Sequence, residues 1–238
     1  MFTKAEKYFF NERWKCNLCG KELFDGEYFC ADCQNSLVKI GKDFCLHCGR
    51  RVLTPVNYCE TCKGFLTAID LGRSVYEYDD TSSKLVKGFK YYGKKYLSKI
   101  FVKELANAYY ENYLTADVIT YVPLTPFRKF LRGYNQTEVL ANGLSSLINL
   151  PVECLLEKRK RKHSQVKQDR KGRLKLTEKS FKIKKGAKVK DKVVLLIDDV
   201  TTTGATAQAI ATLLKNKGAK KVYLLTVASV SKIDKAKK

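Results

Sequence analysis

Val193-Val194-Leu195-Leu196-Ile197-Asp198-Asp199-Val200-Thr201-Thr202-Thr203-Gly204-Ala205-Thr206 is the stretch on which the reading of this 238-residue chain turns. Five apolar residues in succession, β-branched or leucine, predict a strand buried on both faces of a parallel sheet. Two carboxylates stand at its carboxyl end, where open α/β sheets bind their ligands. A short loop of hydroxyl side chains and one glycine follows. From Ala205 to Lys217 the apolar residues Ala209, Ile210, Leu213 and Leu214 recur at helical spacing. Strand, loop and helix together bring backbone N–H groups and the positive end of a helix to one point, which suits a phosphate. The aspartates repel a phosphate and suit a neighbour of it, such as paired sugar hydroxyls or a magnesium ion. A phosphorylated ribose presents both features.

The stretch resembles the phosphoribosyl pyrophosphate (PRPP) motif of type I phosphoribosyltransferases. The resemblance implies that Asp198 and Asp199 are the catalytic acids facing the ribose hydroxyls. It also implies that Val200, Thr201, Thr202, Thr203, Gly204, Ala205 and Thr206 wrap the 5′-phosphate, and that Mg²⁺ accompanies PRPP.

Composition sets the outer limits. The apolar content of 45% is that of an ordinary globular protein, and 238 residues suffice for a real core. No apolar run approaches the length of a transmembrane helix, and residues 1 to 6 lack the apolar core of a signal peptide. The expected location is cytoplasmic, with the inner face of the membrane as a second place. A net charge of +22 repels itself unless it meets something anionic.

Eight of the nine cysteines form Cys-x-x-Cys pairs: Cys16 with Cys19, Cys30 with Cys33, Cys45 with Cys48, and Cys59 with Cys62. Each of the first four recurs 29 residues later, as do Gly20 (Gly49) and the basic residue after it (Lys21, Arg50), so the module is an internal repeat. Two intervening residues let both thiolates face one ion, and four thiolates close a tetrahedral Zn²⁺ site with no open position. Two structural zinc ions are expected. Consecutive pairing within each unit follows from the repeat; a cross-braced arrangement is the alternative, and an iron–sulfur cluster the rival metal.

Further along, Ser74 to Tyr78 alternates like a strand, Asp79 or Asp80 is placed to cap a helix through Lys90, and a longer helix is expected from Tyr96 to Tyr113. Asp117 to Val122 predicts a second buried strand, Val152 to Leu156 a short one, and Lys221 to Val227 another. After the second strand, Arg128, Lys129, Arg132, Asn135 and Gln136 form a basic loop ahead of a helix from about Thr137 to Leu147.

Val122-Pro123-Leu124, then Arg132-Gly133-Tyr134-Asn135-Gln136 leading into Leu140-Ala141, resembles the ComF family, whose members join a cysteine zinc module to a phosphoribosyltransferase-like domain. The resemblance implies natural competence, uptake of single-stranded DNA, and contact with competence helicase or DNA-translocation proteins. The resemblance to type I phosphoribosyltransferases implies a pyrophosphate role for the loop after the second strand. From Lys158 to Lys190, sixteen Lys or Arg face two acids, so this run holds +14 of the +22. Lys158, Arg159, Lys160, Arg161 and Lys162 lie where phosphoribosyltransferases carry a lid. Pyrophosphate needs only a few positive groups, so the remainder points to a nucleic-acid backbone. The expectation is therefore a zinc module over residues 1–66 followed by a doubly wound parallel α/β domain over 67–238, with a basic segment at about 157–190. A nucleotide-salvage phosphoribosyltransferase and a DNA-binding module without turnover remain as alternative functions.

Overall fold

Four parallel strands make the sheet: β1 (Leu71–Glu77), β2 (Val118–Tyr121), β5 (Val193–Thr201) and β6 (Lys221–Ser229), in the order β1-β6-β5-β2. The computed structural model describes residues 15–24, 27–63, 68–159 and 180–231. The aromatic lead-in before Lys15, the residues Lys160, Arg161 and Lys162, and the tail from 232 lie outside the described residues.

The strand of the opening stretch lies inside the sheet, between β2 and β6, and its residues Val194 to Ile197 are fully buried. Alternation sends them to opposite faces. Leu195 and Ile197 join Phe89, Phe101, Leu105, Leu140 and Leu144, which belong to α2 (Asp80–Tyr91), α3 (Ser98–Glu111) and α5 (Gln136–Ile148). Val194 and Leu196 join Ile210 and Leu214 of α6 (Ala205–Asn216) on the other face. Helices thus cover both faces, the doubly wound arrangement expected of a parallel sheet. Each fully buried leucine or isoleucine here contributes roughly 1.5–3 kcal/mol by leaving water.

Several boundaries differ from the sequence reading. The strand does not stop before the acids: β5 continues to Thr201, because Asp198, Val200 and Thr201 stay in register with Thr226, Ala228 and Ser229 of β6. The alternating pattern at Ser74 marks only part of β1, which starts at Leu71 and is buried from Gly72 to Tyr76. The basic loop after β2 contains a helix, α4 (Pro126–Arg132). Thr125 caps it by accepting from the Arg128 amide, proline stands in its first turn, and Gly133 ends it in the left-handed conformation (φ 76°). The short strand expected from Val152 to Leu156 is a single bridge, Ile119 to Val152. The strand proper, β3 (Leu156–Lys158), begins later and pairs antiparallel with β4 (Phe181–Ile183). The helix expected from Tyr96 starts as a 3₁₀ turn, Lys95–Leu97, before α3. Asp79 does cap α2: its carboxylate accepts from the Ser82 amide at 2.8 Å, and the Ser82 hydroxyl accepts from the Asp79 amide at 3.0 Å.

Both cysteine units pack against this domain. Cys16, Leu23, Phe29 and Leu37 of the first unit share the core formed with α2 and α3. The second unit lies on the edge of β1, through bridges Lys39–Tyr76 and Gly49–Arg73. The approach is close: a Cβ on Gly49 would sit 2.5 Å from the Arg73 backbone, and one on Gly72 2.5 Å from the His47 carbonyl. Only glycine permits that contact at either position.

Candidate functional site: a hydroxyl-rich loop beside two four-cysteine clusters

The eight thiols gather into two groups, Cys16, Cys19, Cys30, Cys33 and Cys45, Cys48, Cys59, Cys62, with the sulfurs of each group within 4.8 Å of one another. This is the consecutive pairing, not the cross-braced one. Both units repeat the same turn. The Cys16 amide donates to the Lys21 carbonyl and the Gly20 amide to the Cys16 carbonyl; the Cys45 amide donates to Arg50 and the Gly49 amide to Cys45, all at 2.8–2.9 Å. The Cys59 amide donates to the Cys45 sulfur at 3.2 Å. Cys45 is lowered to about 6, chiefly by the hydrogen bond from the Cys48 thiol. Four clustered sulfurs, two of them (Cys45 and Cys59) already favoured as thiolates, fit a tetrahedral Zn²⁺.

At the other centre, Asp198 and Val200 to Ala207 line a small open cup of about 40 Å³. The first-turn amides of the 12-residue α6 open onto it, since such amides lack intrahelical acceptors. Gly204 makes the turn in the left-handed region (φ 77°). Thr202 and Thr203 are exposed and Thr206 is half-buried, whereas Thr201 is buried and its Oγ1 has no partner among the described residues. Asp199 does not line the cup. Because β5 continues through both acids, their side chains leave on opposite sides.

Asp199 instead meets Lys90 of α2, Oδ1 to Nζ at 2.8 Å, with both side chains more than four-fifths buried. The Asp198 carboxyl is pushed up to about 7, first by burial and then by the Asp199 charge; Lys90 and Lys158 pull in the opposite direction. Sequence reading places Lys90 in a basic, tyrosine-rich run suited to nucleic acid and does not connect it with the acids. The place of Lys90 is set by neighbours that the reading had assigned to pyrophosphate or nucleic acid. The Gln136 amide donates to the Lys90 carbonyl at 3.4 Å, and Arg132 donates to Gln136 at 3.0 Å and to the Tyr91 hydroxyl at 3.2 Å. Asn135 is buried, donating to the Val122 carbonyl and accepting from the Thr137 amide, so it starts α5. Arg128 is exposed on α4, and Lys158 ends β3 within electrostatic reach of Asp198. Arg159 donates its amide to the Ser180 carbonyl.

The residue that the sequence reading missed is Arg50, from the zinc module. Its Nη2 donates to the Thr202 carbonyl at 2.7 Å, across 152 positions of sequence. The signal available was the basic residue recurring after each knuckle glycine, which pairs Arg50 with Lys21 without saying where either reaches.

Residues 135–238 match the family described as the phosphoribosyl transferase domain, and residues 8–63 match the double zinc ribbon domain. Fold and site together define a class: a type I phosphoribosyltransferase-like protein with an N-terminal double zinc ribbon. Among its relatives, competence protein ComFC of Streptococcus pneumoniae is 31% identical over 87% of this chain and 96% of that protein. Competence protein F of Haemophilus influenzae is 26% identical over 92% of this chain and 98% of its own length. The chain belongs to the ComFC family of competence proteins. Among solved structures, the glutamine PRPP amidotransferase of B. subtilis in complex with ADP and GMP is similar over 54% of this chain (TM-score 0.40, 25% identity). The match spans only 25% of that longer chain. Among the described residues no helix is long and apolar enough to cross a membrane.

Proposed function

We propose that this competence-related protein binds PRPP, or a closely related 5-phosphorylated ribose, with Mg²⁺ in the cup at the end of β5, and that it handles single-stranded DNA during uptake. The observation that carries the first half is the cup itself: one carboxylate and the amide-rich loop Val200 to Ala207 converge on the N-terminus of α6. The 5′-phosphate fits the loop amides and the hydroxyls of Thr202, Thr203 and Thr206. Asp198 accepts from ribose hydroxyls, while Asp199, on the other side of the strand, holds Lys90. Oxygen-only donors of this kind also suit Mg²⁺, which supplies charge neutralisation for pyrophosphate. In phosphoribosyl transfer the bond between the anomeric carbon and pyrophosphate breaks as a nitrogen acceptor attacks. Asp198 then stabilises the positive charge on the ribose, and Lys158, within electrostatic reach of Asp198, offsets the charge of the departing anion.

Support for nucleic acid comes from α4. None of its residues is buried; Phe127 and Phe130 are 69% and 83% exposed among Arg128, Lys129 and Arg132. Arg132 also stacks on Tyr91, 4.8 Å from its ring centre. Exposed rings for stacking, set among cations for phosphate, are what a single strand requires. The helix stands directly after β2, the strand that neighbours β5 in the sheet.

Calorimetric titration with PRPP and Mg²⁺, repeated with single-stranded DNA present, tests both halves. PRPP should bind the wild type, and the double variant Asp198→Ala, Asp199→Ala should lose that binding while keeping its fold. DNA affinity should fall steeply with salt, and Phe130→Ala with Arg128→Ala should weaken it. Absent PRPP binding, with DNA still held, would reduce the cup to a phosphate cradle without turnover. Undiminished binding by the double variant would remove the acids from the site.

A further inference from the structure

The Arg50 side chain is nearly fully buried, and its guanidinium is engaged on three sides. Nε donates to the Cys48 sulfur at 3.3 Å, Nη1 to the Thr61 hydroxyl at 2.8 Å and Nη2 to the Thr202 carbonyl at 2.7 Å. A guanidinium is planar and rigid, so two anchors fix where the third donor points. Both anchors belong to the second cysteine unit: Cys48 is one of its four sulfurs, and Thr61 stands between Cys59 and Cys62. The third reaches the loop that lines the cup.

The consequence is geometric. In a trans peptide the carbonyl of one residue and the N–H of the next point in opposite directions. Holding the Thr202 carbonyl against Arg50 therefore turns the Thr203 N–H to the other side of the loop. The base of this strut is firm, because the second unit is pressed onto β1 at Gly49 and Gly72. A further tie reaches the helix behind the cup, where His47 hydrogen-bonds Gln208 of α6. Nothing comparable links the first unit to the loop among the described residues.

We propose that Arg50 is a positioning residue that makes the phosphate loop an extension of the second zinc unit, so that metal occupancy of Cys45, Cys48, Cys59 and Cys62 sets the affinity of the cup for phosphate. The proposal rests on the reading of the cup as a phosphate cradle. Coupling of this kind runs both ways: a filled cup must alter the Cys48 thiolate through the same guanidinium.

The test uses the full chain with cobalt(II) in place of zinc, titrated with ribose 5-phosphate. The wild type should bind, and its thiolate-to-cobalt charge-transfer band should shift on binding. Arg50→Met, still holding two metal ions, should bind about 10-fold more weakly with no band shift. Arg50→Lys keeps the charge but cannot make three bonds in one plane, and should stay weak. Full affinity in Arg50→Lys would show that charge alone matters and would overturn the positioning role. Thr61→Val, which leaves the ligands and the loop untouched, should weaken binding in the same direction, and serves if Arg50→Met fails to fold. An unmoved band with wild-type affinity in Arg50→Met or Thr61→Val defeats the coupling alone. Failure of the wild type to bind ribose 5-phosphate defeats the cradle and, with it, the strut.

Discussion

Lys90 and Asp198 together set the proton balance of the site. Burial holds the Asp198 carboxyl protonated up to about 7, and the Lys90 charge works against that shift. A carboxyl with a raised value gives up its proton only as pH climbs through about 7, and only then accepts two hydroxyl donors. Affinity for a phosphoribosyl ligand should thus increase through this range. Lys90→Met removes a cation that favours the ionised form, so the midpoint of the affinity–pH curve should move to higher pH; an unmoved or lowered midpoint contradicts the role given to Lys90. The sequence displayed Asp198 and the loop after it because these residues are contiguous, and local order alone brings them together. Lys90 and Arg50 were hidden for the opposite reason. Their partners stand far along the chain, and neither residue breaks the pattern of its own segment: Lys90 reads as the basic end of an amphipathic helix, and Arg50 as the second copy of a repeated basic residue.

Among the elements, β5 and α6 were plain from apolar spacing, since burial on both faces of a strand and one face of a helix leaves a period in the sequence. The extent of β1 was not. Gly72 and Arg73 look like the end of a loop, and they are strand because they pair with Leu224 and Leu225 of β6, with the second cysteine unit against their other edge. α4 was equally concealed, having no buried face and hence no apolar period, although Thr125-Pro126 was a readable start. The contact at β1 has a measurable cost when disturbed. Gly72→Ala should destabilise the protein by several kcal/mol, because the new methyl meets a backbone carbonyl that cannot move aside. Thermal unfolding with and without added zinc measures it: the loss should persist at saturating metal. Gly20→Ala, whose Cβ would meet nothing within 4 Å, should cost much less, its penalty being the left-handed backbone alone (φ 78°).

For the whole molecule, the cysteine module is built into the α/β domain: it shares the core of the α2–α3 face and holds the loop after β5 through Arg50. The duplicated spacing disclosed the metal sites, because ligation demands fixed intervals, but it carried no trace of which surface of the domain the module would meet. Metal analysis should return two zinc ions per chain. Their removal has a consequence beyond the loss of a compact ribbon. β1 is the last strand on its side of the sheet, and the bridges at Lys39 and Gly49 are what cover its free edge. Stripped of metal, the chain bares a seven-residue strand with unpaired backbone donors and acceptors, a template for another chain. Under zinc starvation the protein should self-associate through that edge, seen as chelator-induced, concentration-dependent light scattering, before the α/β domain itself unfolds.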